Sequence, residues 1–404
     1  MNARHLTHPA PLIGQAAFTR MVMAGIDLAP IGQQLLKRAE EHPSDANTMM
    51  DLSSVMLLMG KRTLSLQIQR LAIEIQQLYT LSTHEKPTLR LLALMSPGDM
   101  MANTPLEFLL ERSDIQLDLL FLKEGLPASE QVPDHDVLFV GIGESDANLP
   151  LLHQLEEQLR DWPRPVLNLP RSISHLSRDG VYALLHDAPG VVIPQTLRVE
   201  RATLEALNIQ RQSPEAWLDG GYPLIVRPVD SHAGQGLDKL DGPADVGVYL
   251  TNATQHEFFI SRFVDYRNAD GQFRKYRIAL IAGKPYLAHL AISSHWMIHY
   301  LNAGMSESAE KRAEEEFAMV HFDREFACRH QTALTAIHER MGLDYLGIDC
   351  AETDDGKLLI FEVDTSMVVH SMDPVDIFPY KQPQMHKVFA AFRSLLLDAA
   401  KRPV

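Results

Sequence analysis

The spacing of apolar residues changes twice along the chain, and each change predicts a different kind of element. Up to about residue 84 the apolar positions follow a helical period, which predicts helices at 30–41, 46–59 and 64–81. From about residue 87, short apolar strands alternate with helical stretches, a pattern typical of a small parallel sheet. Longer strands then follow beyond residue 170. The pattern therefore predicts an α/β (α+β) protein with an all-helical front.

The helical front, residues 1–84, contains one helix pair that resembles a tetratricopeptide-like hairpin. Small residues Ser53, Ser65 and Ala72 fall where its two helices would touch, and Gly60 supplies the turn. The resemblance implies a docking surface for a protein or peptide. A plain helical bundle that packs on the rest of the chain, or that forms a homodimer, fits the same pattern. Both interpretations stay open.

The second part, residues 85–170, is predicted to be a small α/β domain. Loops 96–99 and 141–145 follow two of its strands, and loops at such strand ends bind ligands in open α/β sheets. Their glycine spacing does not match a dinucleotide fingerprint. We therefore expect a wall that faces the substrate. The predicted strands are 89–95, 116–122, 137–142 and 165–169.

Three carboxylates lie on a predicted β-hairpin at residues 346–364, whose arms flank an Asp-Gly turn at 354–357. Glu362 and Asp364 are two apart and share a face, and pairing of the arms brings Asp349 nearly opposite them. Converging carboxylates repel one another unless a cation lies between them, so the pattern favours a site for Mg²⁺ or Mn²⁺. A surface hairpin with solvated acids is the other interpretation. Glu362 opposes it, because this residue interrupts an apolar run.

Composition and charge argue against several functional classes. The 404 residues carry a net charge of −15, which argues against a broad basic surface for nucleic acid and against a polybasic membrane contact. Two cysteines without ligand spacing favour a reducing compartment over a disulfide framework. We recognise no signal peptide and no apolar run long enough to span a bilayer. The expectation is a cytoplasmic protein that binds neither nucleic acid nor membrane.

Basic side chains with candidate chemistry precede the hairpin. A strand delivers Arg227, and the loop after it contains Gly234 and Gly236, whose backbone amides are suited to fold over phosphates. Lys275 and Arg277 are two apart on a later strand and share a face. A plain turn and a solvated strand face explain the same residues. A neighbouring carboxylate metal site makes the phosphate clamp the stronger interpretation.

Taken in order, these segments resemble the ATP-grasp superfamily, and within it the RimK-type and glutathione-synthetase-like carboxylate–amine ligases. The resemblance rests on the strand ending in Arg227 with its glycine loop, followed by ISRFVD, KYRIALIAGK and GIDCAETDDGKLLIFEVD. It covers residues 87–400 and leaves the helical front outside. It implies an ATP-grasp fold at 171–404, preceded by the small α/β domain, and a ligase that binds ATP with Mg²⁺ or Mn²⁺.

The resemblance also implies roles for individual residues. Arg178 and Arg227 fall where the family usually has lysines on the nucleotide phosphates, and either cation binds phosphate. Asp349, Glu362 and Asp364 match the metal ligands, with aspartate where the last is usually asparagine. The remaining nucleotide positions form the phosphate loop and the linker that reads adenine and ribose: Ser231, Gly234, Gly236, Ser261, Arg262, Phe263, Val264 and Asp265.

The implied reaction joins a small-molecule carboxylate to an amine. The carboxylate attacks the γ-phosphate of ATP to give an acyl phosphate, which the amine captures. Arg277, with Lys275 beside it, matches the arginine that steadies the transferred phosphoryl group. The substrate candidates are polar residues in two loops, which as plain loops would fit equally well: His295, His299, Ser366, His370 and Ser371.

Two alternatives to this ligase remain. One is a ligase that modifies a protein or peptide terminus docked on the helical front. The other is a non-catalytic scaffold that holds nucleotide without turnover. The arginines at 178 and 227 favour the scaffold, whereas the three hairpin acids oppose it. The sequence names neither the carboxylate nor the amine.

Overall fold

The structure is a computed structural model, and it describes residues 10–81, 85–123, 125–126, 132–231 and 234–402. It forms two compact units. The first comprises Met1–Gly143, Ala147–Ile173 and Thr365–Val404, and the second comprises Glu144–Asp146 and Ser174–Asp364. The helical front and the small α/β part thus belong to one unit. Both units mix helices with sheets, which confirms the predicted α/β class.

The first unit packs helices against one five-stranded sheet in the order β1-β3-β2-β4-β5. Strands β2 to β5 run parallel, as predicted, and β1 is antiparallel to β3. Numbered in chain order, the helices are α1 (Gln15–Met23), α2 (Ala29–Glu41), α3 (Ala46–Leu58), α4 (Arg62–Ile75), α5 (Leu106–Leu109), α6 (Leu149–Gln158), α7 (Pro170–Ile173) and α14 (Lys381–Ala399). The strands are β1 (Leu78–Leu81), β2 (Leu89–Met95), β3 (Ile115–Phe121), β4 (Val137–Val140) and β5 (Val166–Leu167).

The end of the predicted helix at 64–81 is wrong, because α4 stops at Ile75 and the chain continues as strand β1. Tyr79 in this strand is fully buried and its ring packs edge-on against Phe121 at 5.8 Å. Burial of a large aromatic ring outweighs the weak preference of a few residues for helix. The sequence analysis also missed α1. The predicted helical front also includes residues 1–9 and 82–84, which lie outside the described residues.

The predicted helix pair is present as α3 and α4. Gly60 has a φ of 77° in the turn, a conformation that glycine adopts without strain. The hydroxyl of Ser53 donates to the carbonyl of Ser65 at 2.9 Å, and Ala72 is fully buried. The small residues therefore lie where the helices touch, as predicted. A docking function for this pair remains a prediction.

The second unit contains two sheets. One has the order β7-β10-β8-β9, and the other has the order β12-β11-β13-β14-β6. The strands are β6 (Val191–Val192), β7 (Thr196–Glu200), β8 (Leu224–Pro228), β9 (Asp238–Leu240), β10 (Glu257–Arg262), β11 (Phe273–Ile281), β12 (Lys284–Ser293), β13 (Tyr345–Glu352) and β14 (Leu358–Asp364). The helices are α8 (Arg178–Leu185), α9 (Arg201–Asn208), α10 (Pro243–Asn252), α11 (Ala309–His321), α12 (Phe326–Arg329) and α13 (Gln331–Met341).

The hairpin predicted at 346–364 is present as β13 and β14. Asp349 pairs in register with Glu362, and Gly347 pairs with Asp364. A bulge follows Asp349, which breaks the regular alternation of the strand at that point. The hairpin therefore brings two of the three predicted acids directly opposite each other.

Candidate active site

Adjacent strands of the five-stranded sheet bring Lys275 and Arg277 onto Asp349. Arg277 lies opposite Asp349 in the register of β11 and β13. Its Nε and Nη2 donate to Oδ1 and Oδ2 of Asp349 at 2.7 and 2.9 Å, and Nζ of Lys275 donates to Oδ2 at 3.0 Å. This fork is the bidentate geometry that makes arginine–carboxylate pairs strong. Both predicted catalytic cations therefore hold one buried carboxylate.

The charge on Asp349 is stabilised in spite of its burial. The side chain is only 5% exposed, and burial alone raises the pKa of a carboxyl group. Arg277 and Lys275 more than offset this, and they hold the pKa of Asp349 well below its usual range. Asp349 is thus a carboxylate, and a constant negative centre, at neutral pH.

Glu362 makes a second ion pair in the same unit. Ser177 caps helix α8 by accepting from the amide of Gly180 at 3.2 Å, which fixes Arg178 in the first turn. Nη2 of Arg178 donates to Oε1 of Glu362 at 2.5 Å, and Nη1 donates to the carbonyl of Phe361 at 3.2 Å. Burial opposes ionisation, but the guanidinium groups hold the pKa of Glu362 below its usual value.

Arg227 is a buried cation on strand β8 of the other sheet, with 7% of its surface exposed. Its Nε donates to Oγ of Ser231 at 3.2 Å, and its Nη2 donates to the carbonyl of Ser231. Burial, together with the nearby positive charge of Arg178, lowers the pKa of Arg227 to about 9. The negative charge of Glu362 acts in the opposite direction and raises the pKa of Arg227. Arg178 on helix α8 and Arg227 on strand β8 therefore both act on the carboxylate of Glu362.

The glycine loop after β8 requires glycine at two positions. Gly234 and Gly236 have φ of 75° and 65°, in the region that favours glycine. A Cβ on Gly236 would approach Pro228 to 2.7 Å, whereas one on Gly234 would meet open space. The carbonyl of Gly236 accepts a hydrogen bond from the hydroxyl of Tyr249 at 2.8 Å. Residues 232–233 of the predicted phosphate loop lie outside the described residues.

The predicted adenine linker begins on strand β10 with Ser261 and Arg262. The amide of Phe263 donates to the carbonyl of Pro223 at 2.9 Å, and its ring lies 5.1 Å from Nζ of Lys239. Val264 follows on the chain. Asp265 pairs with Arg267, whose guanidinium lowers the pKa of that aspartate. The structure thus holds the linker backbone against the neighbouring strand, while Asp265 has a local partner.

The predicted substrate residues fall into both units. His299 lies near the cation cluster, because burial and the charges of Lys275 and Arg277 lower its pKa. The amide of His295 donates to Oγ of Ser293 at 3.1 Å, which fixes the start of the same segment.

Ser366, His370 and Ser371 belong to the first unit. Ser366 is 1% exposed, and its Oγ lies 2.6 Å from where a Cβ on Gly143 would stand. Nδ1 of His370 accepts from the amide of Met372 at 3.1 Å. These contacts order the loop after the hairpin. The substrate roles of all five residues stay predictions.

Glu144 is a functional candidate that the sequence analysis did not single out. Burial and the charges of Asp230 and Asp364 raise its pKa to about 7. It lies in the loop at 141–145, which was predicted to face the substrate. Its position directly after a strand end was the one sequence signal for a functional role. Its neighbours Asp230 and Asp364 are distant in sequence and could not be foreseen. Asp364 is thus close enough to Glu144 for their charges to interact.

The donor chemistry of the hairpin acids fits a divalent cation. Asp349, Glu362 and Asp364 offer only oxygen, which Mg²⁺ and Mn²⁺ prefer. Across the described ranges, however, no three acid, histidine or cysteine side chains are grouped closely enough to hold a metal. Asp349 instead bonds Arg277 and Lys275. Asp349 would have to exchange these partners for a metal ion, and the assignment as ligands remains a prediction.

Comparison with known proteins gives a short sequence match and several structural ones. No family model matches the chain. A formate-dependent phosphoribosylglycinamide formyltransferase from Mycolicibacterium gilvum is 34% identical over 114 residues, and the match covers 22% of this chain and 28% of that protein. The chain therefore matches less than a third of the length of this curated relative.

The solved structures similar to the chain include ligases. A D-alanine–D-alanine ligase from Bacillus anthracis complexed with ATP is 14% identical, with a TM-score of 0.47 over 78% of this chain and 99% of that one. A RimK domain protein, ATP-grasp, from Sphaerobacter thermophilus is 15% identical, with a TM-score of 0.44 over 76% and 99%. The VanG D-Ala:D-Ser ligase from Enterococcus faecalis is 13% identical, with a TM-score of 0.46 over 76% and 99%. The chain is similar to ATP-grasp and ligase structures over about three quarters of its length.

Proposed function

We propose that the protein is an ATP-dependent ligase that joins a carboxylate to an amine through an acyl phosphate. The observation that carries this proposal is the cluster of four basic side chains, Arg178, Arg227, Lys275 and Arg277, around the buried Asp349 and the partly exposed Glu362. A chain with a net charge of −15 concentrates positive charge here. A triphosphate is the anion that such a concentration suits.

ATP would bind with its phosphates toward Arg178 and Arg227. The glycine loop with Ser231, Gly234 and Gly236 supplies backbone amides for the phosphates. The linker from Ser261 to Asp265 offers backbone groups to the adenine, and Asp265 would exchange Arg267 for the ribose. Within the described residues no helix has the length and apolar character needed to cross a bilayer. The proposed substrates are small molecules, one a carboxylate and the other an amine.

A divalent cation would be held by Asp349, Glu362 and Asp364. When bound, it would neutralise charge on the phosphate oxygens. The chain's own cations would act in the same sense, because Lys275 and Arg277 are positively charged and lie at the same carboxylate. Their release from Asp349 would supply up to three N–H donors to a transferring phosphoryl group.

The bond changes follow from the substrates. A carboxylate oxygen of the first substrate attacks the γ-phosphorus, the bond from that phosphorus to the bridging oxygen breaks, and ADP leaves. The amine nitrogen then attacks the acyl carbon, phosphate leaves, and the amine loses a proton. Arg277 holds the phosphoryl oxygens in both steps, and His299 faces the same charges from the following segment.

The short sequence match agrees with a carboxylate substrate. The name of the Mycolicibacterium gilvum relative describes a formate-dependent formyltransferase, and formate is a carboxylate. Which carboxylate and which amine this chain uses is left to a screen. ADP formation should be measured with Mg²⁺ or Mn²⁺ across small acids and amino acids. We expect ADP to accumulate over repeated turnovers only when an acid and an amine are both present.

Arg277→Lys and Arg329→Ala make a matched pair for this assay. Arg277 bonds Asp349, whereas Arg329 is half-exposed and bonds Glu352 at the far end of the same strand. The first variant should lose most of the ADP release, and the second should keep it. Failure of the wild-type protein to bind ATP with either metal would overturn the proposal.

The scaffold alternative is favoured by one observation, namely that both oxygens of Asp349 already bond cationic side chains. A scaffold would bind ATP without releasing ADP under any combination of acid and amine. The same screen therefore separates it from the ligase.

Two further proposals concern the helical front. Leu64, Leu71 and Ile75 are exposed along α4, which supports docking of a protein or peptide terminus. Leu71→Lys would then reduce activity on a peptide and leave activity on a free amino acid unchanged. The homodimer is tested by a gel-filtration mass of the wild-type protein.

A further inference from the structure

A cavity of about 70 Å³ lies inside the first unit. Its walls come from the start of α1, from α3 and α4, and from the segment between β2 and α5. One water needs about 10–15 Å³ of such volume, so the cavity has room for several waters or for one compact organic molecule.

Three carboxylates line this cavity. Asp99 pairs with Arg62 at 2.7 Å, which leaves Asp51 and Glu107 as the two to be explained. Asp51 is 2% exposed and accepts from the amides of Ile13 and Gly14 at 3.0 Å each. Oε2 of Glu107 accepts from the amide of Ala16 at 3.1 Å. Among the residues that the structure describes, neither carboxylate bonds a lysine, arginine or histidine. Their only partners there are backbone amides at the start of α1.

Two further polar groups in the cavity wall have no hydrogen-bond partner among the residues that the structure describes. Thr104 is completely buried, and its Oγ1 neither donates nor accepts. Nε2 of Gln15 is likewise a buried donor without an acceptor. An unmade hydrogen bond of a buried group costs about 1–3 kcal/mol, so such groups call for a partner. Capping of α1 explains the backbone bonds of Asp51 and Glu107, but it leaves Thr104 and Gln15 unexplained.

The electrostatics of Asp51 and Glu107 favour binding of a cation. Burial is the largest influence on both acids, and it raises the pKa of Asp51 to about 6 and that of Glu107 to about 7. The charge of Asp51 raises the pKa of Glu107 further, so the two carboxylates lie close enough to repel each other. A positive group between them would relieve both effects.

We propose that this cavity binds a compact primary ammonium compound that also carries a carbonyl oxygen. The ammonium N–H groups satisfy Asp51 and Glu107, and the carbonyl accepts from Gln15 and Thr104. Backbone amides hold the two carboxylates in place before the ligand arrives. Gly14, whose φ is 88°, keeps the site open, since a Cβ there would stand 2.7 Å from Oε2 of Glu107. This site is independent of the proposed ligase chemistry.

Calorimetric titration of the full chain with glycinamide tests the proposal. Glycinamide has the ammonium and the carbonyl, acetamide lacks the charge, and tetramethylammonium lacks N–H donors. We expect saturable binding of glycinamide alone. Asp51→Asn and Glu107→Gln keep an oxygen for the backbone amides but remove the charge, so each should weaken binding about tenfold or more. The exposed acid Glu74 supplies the matched control, Glu74→Gln, which should bind like the wild type.

Thr104→Val keeps the test decisive if an acid variant fails to fold. This substitution removes only the hydroxyl of a buried side chain of similar shape, and it should weaken glycinamide binding about threefold to tenfold. Equal affinity in the wild type and in Thr104→Val, or no saturable binding by the wild type, would overturn the proposal. Equal binding of Mg²⁺ or tetramethylammonium would also overturn it, because a general cation site needs no ammonium donors. A crystal structure with only water in the cavity at saturating glycinamide would do the same.

Discussion

Two pairs of buried carboxylates in this protein have opposite electrostatics. On the hairpin of the second unit, Asp349 and Glu362 bond guanidinium and ammonium groups, and their pKa values are lowered. In the first unit, Asp51 and Glu107 bond backbone amides, and their pKa values are raised. Burial acts against the charge in both pairs. The partner decides the outcome, because a full positive charge offsets desolvation and a neutral amide dipole does not.

The two pairs differ in how a ligand would bind to them. The hairpin acids have partners now, and a ligand there would have to replace those partners. The acids of the first unit lack a countercharge among the described residues, and a cationic ligand would supply it. The first arrangement stabilises the empty protein, whereas the second leaves stability to be gained on binding.

Removal of Arg277, the main partner of Asp349, is expected to have the largest effect on activity and stability. Arg277→Ala leaves Asp349 buried with Lys275 as its one remaining cationic partner, and it removes the fork from the transferred phosphoryl group. We expect a loss of about a thousandfold in the rate of ADP release. Loss of a buried ion-pair partner is expected to destabilise the fold by about 3 kcal/mol.

The control for Arg277→Ala is Arg329→Ala, which should change ADP release less than twofold. Circular dichroism would verify that both variants are folded. Retention of activity by a folded Arg277→Ala protein would contradict the role assigned to this arginine.

The next effect is the pH dependence of the first unit. The folded pKa of Glu107 lies above its unfolded value of about 4.3, so its contribution to stability is fully present below pH of about 4 and is lost as pH rises through about 7. Glu107→Gln removes this loss, which we expect to be about 2 kcal/mol. Hydrogen exchange of residues 13–24 at pH 5.5 and 8, corrected for intrinsic rates, measures it.

Glu74→Gln is the companion variant, because Glu74 is exposed on α4. It should leave the difference in protection between the two pH values unchanged. A Glu107→Gln protein that keeps the full pH difference would mean that other groups cause it.

A smaller effect is expected at Arg178. Arg178→Met removes the partner of Glu362 and one cation from the proposed phosphate site, so KM for ATP should rise about tenfold. Arg178→Lys should restore most of the affinity, because lysine keeps the positive charge beside the phosphates. Steady-state kinetics at varied ATP would distinguish this loss in KM from a loss in kcat. A lysine variant as weak as the methionine variant would point to a structural role.

The smallest effect is expected on the exposed tip of the same hairpin. Asp355 bonds Lys357 at 2.9 Å, with both side chains more than half exposed. Asp355→Asn should change the free energy of unfolding by less than about 0.5 kcal/mol, since solvent screens such pairs. Chemical denaturation measures the difference. A larger change would show that a cationic partner stabilises a carboxylate strongly even when the pair is exposed.

The parts of the site that were predictable are those encoded by local spacing. The period of two places Glu362 and Asp364 on one face, and the turn at 354–357 fixes the pairing that brings Asp349 opposite Glu362. Lys275 and Arg277 share a strand face for the same reason. These inferences needed no knowledge of distant partners.

Contacts between residues far apart in sequence were not predictable. The pair of Arg178 and Glu362 spans 184 residues, and no local pattern encodes it. Glu107 lies in a four-residue helix whose sequence gives no sign that its carboxylate caps α1. Strand β1 was assigned to a helix because the burial of Tyr79 depends on Phe121, which is 42 positions further along the chain.

The order of segments in the two units has a consequence for synthesis on the ribosome. The first unit includes α14, and Phe392 of this helix packs against Phe139 of β4. Arg393 of the same helix donates two hydrogen bonds of 2.6 Å to Asp114. The second unit ends at Asp364 and is therefore translated in full before this helix, which begins at Lys381. A nascent chain thus completes its inserted unit first, and the flanking unit closes only after its last helix emerges.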